Sequence, residues 1–114
     1  MAEAHLIDDD PLTEIDPRTL ARWLAEDRAV VVDVREQVEW DHERLPGSIH
    51  MVPLSEFDAA AMPDVGDRTP VLICKAGVRS ATAGDVLIDA GWPEVIHLAG
   101  GITDWKNAGL PVER

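Results

Sequence analysis

The sequence predicts a small three-layer α/β domain built on a mostly parallel sheet, and three observations predict it. The runs Ala29–Val32, Val71–Ile73 and Val95–Leu98 are apolar without alternation, as strands covered on both faces are. Segments with helical spacing, 7–12 residues long, separate them, which is the pattern of βα units. The chain has 114 residues, enough for one hydrophobic core and no second module.

The elements follow in order. Residues 1–11, with Asp8-Asp9-Asp10, are acidic and lack periodicity, so they read as a flexible lead-in to a domain over 12–114. A short segment, Leu12–Ile15, precedes a helix start: Asp16 is a good N-cap and Pro17 fits the first helical position. Leu20, Trp23 and Leu24 then form one apolar stripe. After the first buried run, Arg35–Asp41 reads as a short helix and Ser48–Val52 as a short strand ahead of Pro53. Ser55 is placed to cap a helix reaching Met62, and 63–70 is turn-rich. Beyond Val71–Ile73, the spacing of Ala83, Val86, Leu87 and Ala90 predicts a helix that Gly91 ends. A last helix, Thr103–Ala108, is closed by Gly109 and Pro111.

Composition excludes several function classes. The 22 acidic and 10 basic residues give a net charge of −12, unsuited to nucleic acid or to anionic membrane surfaces. No apolar run exceeds four residues, so a transmembrane helix is not expected. The first five residues carry no basic or apolar signal region, and the single cysteine, Cys74, fits a reducing compartment; cytoplasmic location is the expectation. His5, His42, His50 and His97 show no zinc-ligand spacing, and no metal is expected.

Chemistry concentrates where ligands of parallel sheets sit, beyond the carboxyl end of a strand. There stands Cys74, followed by Lys75-Ala76-Gly77-Val78-Arg79-Ser80 and a helix. A loop entering a helix N-terminus points several N–H groups at one spot, and the helix dipole adds about half a positive charge there. Gly77 tolerates a positive φ, letting the loop curl into an anion nest. A thiol so cradled has a lowered pKa. Lys75 and Arg79 add cations, Arg79 as a fork that can clamp an oxyanion, while Ser80 adds a donor or steadies the first helical turn. The plainer alternative is that Cys74 is a small buried hydrophobe. Asp33 and Arg35, at another strand end, support the active face or form a structural ion pair, and the pair is the favoured reading.

These residues resemble a known family. Cys74 to Ser80 is similar to the C-x-x-G-x-R-S loop of single-domain rhodaneses. Asp33-Val34-Arg35-Glu36 with Glu39-Trp40, Leu45-Pro46-Gly47-Ser48 with Pro53, Gly91-Trp92, Gly100-Gly101 with Trp105, and Gly109-Leu110-Pro111-Val112 match further family segments, in order, over residues 16–112. Where many members read Gly-His before Ile-Pro-Gly, this chain has Glu43-Arg44, a change at the pocket rim.

The resemblance implies a rhodanese-like α/β/α fold with a five-stranded sheet and a two-step sulfur transfer. Cys74 takes the outer sulfur of an anionic donor such as thiosulfate, and loop amides from Lys75 to Ser80 hold the persulfide. A thiophilic acceptor, whether cyanide, a thiol or a protein, then removes it, with no cofactor. Lys75 and Arg79 favour thiosulfate over mercaptopyruvate. Two rivals stand beside this. A cysteine phosphatase or arsenate reductase places five residues between Cys and Arg, whereas four separate Cys74 from Arg79, giving a tighter cup. A non-catalytic persulfide carrier or partner-binding module is the other. With no second cysteine in the sequence, the sulfur acceptor comes from outside it.

Overall fold

The computed structural model describes residues 11–114. Of the acidic lead-in, residues 1–10 lie outside the described residues, and the Pro11 carbonyl already accepts a hydrogen bond from Val95 N–H at 2.7 Å. Five strands form one fully parallel sheet: β1 (Leu12–Ile15), β2 (Ala29–Asp33), β3 (His50–Met51), β4 (Thr69–Ile73) and β5 (Val95–Leu98). Their order across the sheet is β1-β5-β4-β2-β3. The helices are α1 (Pro17–Ala25), α2 (Gln37–His42), α3 (Val78–Asp89) and α4 (Gly101–Asn107). No helix among the described residues is long and apolar enough to cross a membrane.

Side-chain alternation along the central strands divides the core into two layers. Val31, Val71, Ile73 and Leu98 face one side, where Leu20 of α1 and Ile102 and Trp105 of α4 pack on them. Val32, Leu72, Cys74 and Val95 face the other, where Ala83 and Leu87 of α3 cover them. Both faces are therefore dry, which is why these strands carry apolar residues at successive positions.

Several local readings need correction. The first short helix starts at Gln37 rather than Arg35, because Arg35 is drawn into a buried contact with Asp33. Glu36 takes the N-cap, its N–H donating to Glu39 Oε2 at 3.0 Å. The expected strand Ser48–Val52 is reduced to His50–Met51, since Ser48 N–H closes a turn onto Leu45 O and only β2 is available as a neighbour. The expected helix from Ser55 to Met62 is instead two 3₁₀ turns, Leu54–Glu56 and Ala59–Ala61. Ser55 Oγ donates to the Glu36 carboxylate rather than capping, and Asp58, extended, caps a new turn by accepting from Ala61 N–H at 3.1 Å. The last helix begins at Gly101, two residues before Thr103, because Gly100 in the left-handed region is its N-cap.

Candidate active site

The site grows out of the β4–α3 junction. β4 ends at Ile73, Cys74 follows, and the chain turns through Gly77 at φ +99° into α3. Gly77 is an N-cap without a side chain, so the first N–H groups of α3 lack the usual side-chain acceptor. The Cys74 sulfur takes that place. Gly77 N–H donates to Sγ at 3.0 Å, and Sγ lies 3.4 Å from Ser80 Oγ.

What turns the loop inward lies on α4. Ile102 N–H donates to Cys74 O at 2.9 Å and Thr103 N–H to Lys75 O at 3.0 Å, so the loop carbonyls face α4 and the amides face the sulfur. Gly101, at φ +59°, permits this approach: a Cβ there would collide with the Cys74 carbonyl oxygen and the Lys75 backbone. The Gly100-Gly101 pair entered the sequence reading only through its match to the family, and its backbone contact with residues 74–75 went unforeseen.

Burial is the largest single influence on Cys74 and pushes its thiol up. The Ser80 hydroxyl and the N–H groups of Ser80, Gly77 and Ala76 oppose it, and the net position is below the ordinary thiol value. Hydrogen-bond donors thus favour the thiolate, where the sequence had credited cations as well. Cys74 is only 1 % exposed, so its sulfur is the floor of the cup.

Arg79 does not reach over the cup as a free fork. Its guanidinium donates to Glu39 of α2 twice, Nη1 to Oε2 at 2.7 Å and Nη2 to Oε1 at 2.8 Å. That pairing comes first among the influences that raise Arg79, while the charge of Cys74 also registers on it. Glu39 is held at about 2, with the Arg79 hydrogen bonds as the chief cause. Lys75 is exposed and lines a groove of about 480 Å³ with Glu39, Val38, Thr103 and Lys106. Ala76 and Val78 are exposed on the rim, Val78 at 75 %. Glu43, at the position where the family pattern is broken, is buried and bonded to Lys106 Nζ at 2.6 Å.

Asp33 and Arg35 form a buried ion pair. Arg35 Nε lies 3.0 Å from both carboxylate oxygens and Nη2 lies 2.7 Å from Oδ2, with Nη2 also donating to Glu43 O at 2.8 Å. The pair ties the end of β2 to the segment after α2, and Arg35 reaches the same groove as Lys75. The residue that sequence reasoning passed over is His97, considered there only for zinc-ligand spacing. Its Nδ1 lies 2.8 Å from Ser80 Oγ. The available signal was a lone polar side chain in the buried run Val95–Leu98. Among the described residues, no cluster of three or more His, Cys, Asp or Glu could hold a metal ion.

The parallel α/β sandwich is shared with known proteins. Residues 16–108 match the family model described as Rhodanese-like domain, and the chain belongs to that family. An uncharacterized protein from Synechocystis is 38% identical over 97 residues, covering 85% of this chain and 54% of that protein. MoeZ of Mycobacterium tuberculosis, named a probable adenylyltransferase/sulfurtransferase, is 42% identical over 102 residues, 85% of this chain but 25% of its own length. This chain therefore spans about half of one relative and a quarter of the other. The thiosulfate sulfurtransferase GlpE of Glaesserella parasuis is 28% identical, with 92% of this chain and 96% of that protein covered. Among solved structures, a rhodanese-related protein from Thermoplasma volcanium superposes with a TM-score of 0.76 at 28% identity, covering 89% of this chain and 97% of that one. A Rhodopseudomonas palustris protein described as a candidate tyrosine phosphatase superposes with a TM-score of 0.75 at 26% identity, over 90% and 85%.

Proposed function

We propose that this chain is a sulfurtransferase that moves a sulfane sulfur from thiosulfate, or a similar small anion, to a thiophilic acceptor through a Cys74 persulfide. The observation that carries the reading is the sulfur of Cys74 in the capping position of α3, with Gly77 N–H at 3.0 Å and an ionisation favoured below that of an ordinary thiol. The Cys74 thiolate attacks the outer sulfur of the donor. The donor's S–S bond breaks and sulfite leaves with the electron pair. The new terminal sulfur is anionic and takes the loop amides of Ala76, Gly77 and Ser80 as donors. An acceptor thiolate, or cyanide, then attacks that sulfur and restores the Cys74 thiolate.

Two features support this chemistry over phosphoryl transfer, the function suggested for the R. palustris structure. A cysteine that is 1 % exposed admits a slim donor end-on, and a bulky aryl phosphate poorly. Arg79, which a phosphatase would aim at the phosphoryl oxygens, is bound to Glu39. With Arg79 balanced by Glu39, the exposed Lys75 leaves positive charge beside the entrance for an anionic donor. A carrier role, in which the persulfide passes to a partner protein, uses the same first step. The reducing compartment that a lone thiol needs makes the cytoplasm the proposed location.

The test is thiocyanate formation from thiosulfate and cyanide, with an aryl phosphate run in parallel. Wild type forms thiocyanate, Cys74→Ala does not, and the phosphate ester stays intact. Treatment with thiosulfate alone adds one sulfur, about 32 Da, to wild type and nothing to Cys74→Ser. Phosphate release without thiocyanate would reverse the assignment, whereas the added sulfur without turnover marks a carrier.

A further inference from the structure

Behind the cup, Ser80 connects the sulfur to a second titratable group. His97 is 2 % exposed, with Nδ1 2.8 Å from Ser80 Oγ and Nε2 3.5 Å from Glu14 Oε2. Ser80 Oγ also lies 3.4 Å from Cys74 Sγ and 3.2 Å from Gly77 O. A serine hydroxyl has one proton and two lone pairs, so it cannot donate to the sulfur and to the imidazole at once. Which neighbour receives that proton depends on where the sulfur's own proton is.

We propose that Cys74, Ser80, His97 and Glu14 form a proton relay, in which the proton leaving the Cys74 thiol is matched by one arriving on His97 through the Ser80 hydroxyl. His97 is then a positioning residue for the sulfur chemistry. The inference rests on the sulfur-transfer reading for its purpose, but not for its geometry.

In the resting arrangement the thiol donates to Ser80 Oγ, Ser80 donates to Nδ1 of a neutral imidazole, and Nε2–H faces Glu14. On ionisation the S–H bond breaks with its electron pair left on sulfur, and the proton joins Ser80 Oγ. The proton that Ser80 carried joins Nδ1. The sulfur is now an anion and the imidazole a cation, while Ser80 donates to the first and accepts from the second. No net charge has entered the buried region, which is what makes ionisation there affordable.

The charges around His97 fit such a paired ionisation. Burial pushes the imidazole down, and the carboxylates of Glu14 on β1 and Asp85 on α3, which act the other way, do not overcome it. An isolated imidazolium is thus unfavourable, and an anionic sulfur beyond Ser80 supplies the missing support. The relay also opens to solvent. Glu14, His97, Gly77, Val78 and Thr82 border a groove of about 540 Å³ at the β1 edge of the sheet, distinct from the groove that Lys75 lines.

The experiment uses the full chain and its single cysteine. Alkylation of Cys74 by iodoacetamide is followed against pH in wild type, His97→Gln and Glu14→Gln. In wild type and Cys74→Ala, the His97 ring nitrogens are titrated by NMR. His97→Gln is expected to react about tenfold more slowly at pH 7 and to recover at higher pH, a displacement of about one pH unit. Glu14→Gln, an exposed site that leaves the fold intact, shifts the profile the same way by about threefold. Should His97→Gln fail to fold, Glu14→Gln and the NMR titration carry the test. In Cys74→Ala, His97 is expected to lose its proton at lower pH than in wild type. Identical His97 titrations in the two proteins, or an unshifted alkylation profile in Glu14→Gln, overturn the relay even if thiocyanate is made. Shifted profiles in a protein that neither gains a sulfur from thiosulfate nor makes thiocyanate uphold the relay and overturn the sulfur-transfer reading alone.

Discussion

Arg79 and Glu39 bind each other through two hydrogen bonds, 2.7 and 2.8 Å long, across forty residues of chain. The contact joins the first turn of α3 to α2, so the far end of the Cys74 loop is anchored to the helix that follows β2. It also determines how the entrance responds to acid.

Glu39 is held at about 2 against an ordinary 4.5, first by its hydrogen bonds to Arg79. A carboxylate depressed by folding contributes stability that is fully present above its unfolded value and disappears as pH falls through the folded one. The window is therefore pH 4.5 down to about 2. With each side chain about one-third exposed, solvent screening limits the contribution to about 1 kcal/mol. Urea unfolding at pH 7 and pH 3 should show wild type losing an increment of stability on acidification that Glu39→Gln does not lose. Equal pH sensitivity in the two proteins would contradict the pairing.

Arg79→Ala should act on donor binding. Removing the guanidinium takes away a cation that senses the Cys74 charge and leaves the Glu39 carboxylate unpaired at the entrance. The KM for thiosulfate is expected to rise about tenfold, with kcat changed far less. In the double variant Arg79→Ala with Glu39→Gln the unpaired carboxylate is gone, and part of the affinity should return. Steady-state thiocyanate kinetics on the three proteins decide it, and a drop in kcat at unchanged KM would count against this account.

The parallel sheet was legible because its central strands are buried on both faces, and burial of that kind leaves unbroken apolar runs such as Ala29–Val32. The β4–α3 junction was legible because Cys74, Gly77 and Ser80 are adjacent in sequence and act locally. What escaped were contacts between distant segments. Nothing near Arg79 in the chain shows that Glu39 will occupy it, and nothing near Gly101 shows that it must abut the backbone of Cys74 and Lys75. His97 escaped for the same reason, since its partners come from α3 and β1. The two 3₁₀ turns after Pro53 escaped because Asp58 offers the backbone a competing cap in the middle of a helix-compatible stretch.

Asp33→Asn tests the buried pair behind the site. Asp33 is fully buried and Arg35 is 3 % exposed, so neutralising the carboxylate leaves a cation in the interior with only neutral acceptors, the amide oxygen of the new side chain and the Glu43 carbonyl. Breaking such a pair from one side costs about 3–5 kcal/mol. Replacing both residues by apolar ones, as in Asp33→Leu with Arg35→Met, should cost much less, because no charge is then left buried. Urea midpoints at constant m-value distinguish the two. Asp33→Asn with wild-type stability would mean that Arg35 finds another partner.

Gly101→Ala probes what turns the loop amides toward the sulfur. At φ +59° an alanine is strained, and its Cβ would meet the Cys74 carbonyl oxygen and the Lys75 backbone, neither of which is a flexible side-chain end. The loop must then move off α4, loosening the bonds from Ile102 N–H to Cys74 O and from Thr103 N–H to Lys75 O. Once those carbonyls are free to rotate, the amides that favour the thiolate lose their aim. The expected cost is about 2–3 kcal/mol of stability, together with about tenfold slower alkylation of Cys74 at neutral pH. Gly47→Ala is the control: its φ is +75° but its Cβ would have nothing within 4 Å. It should lose about 1 kcal/mol from backbone strain alone and keep wild-type thiol reactivity. If both variants lose reactivity equally, the effect is general destabilisation and α4 does not orient the loop; if only Gly101→Ala loses it, the first turn of α4 keeps the cup facing inward.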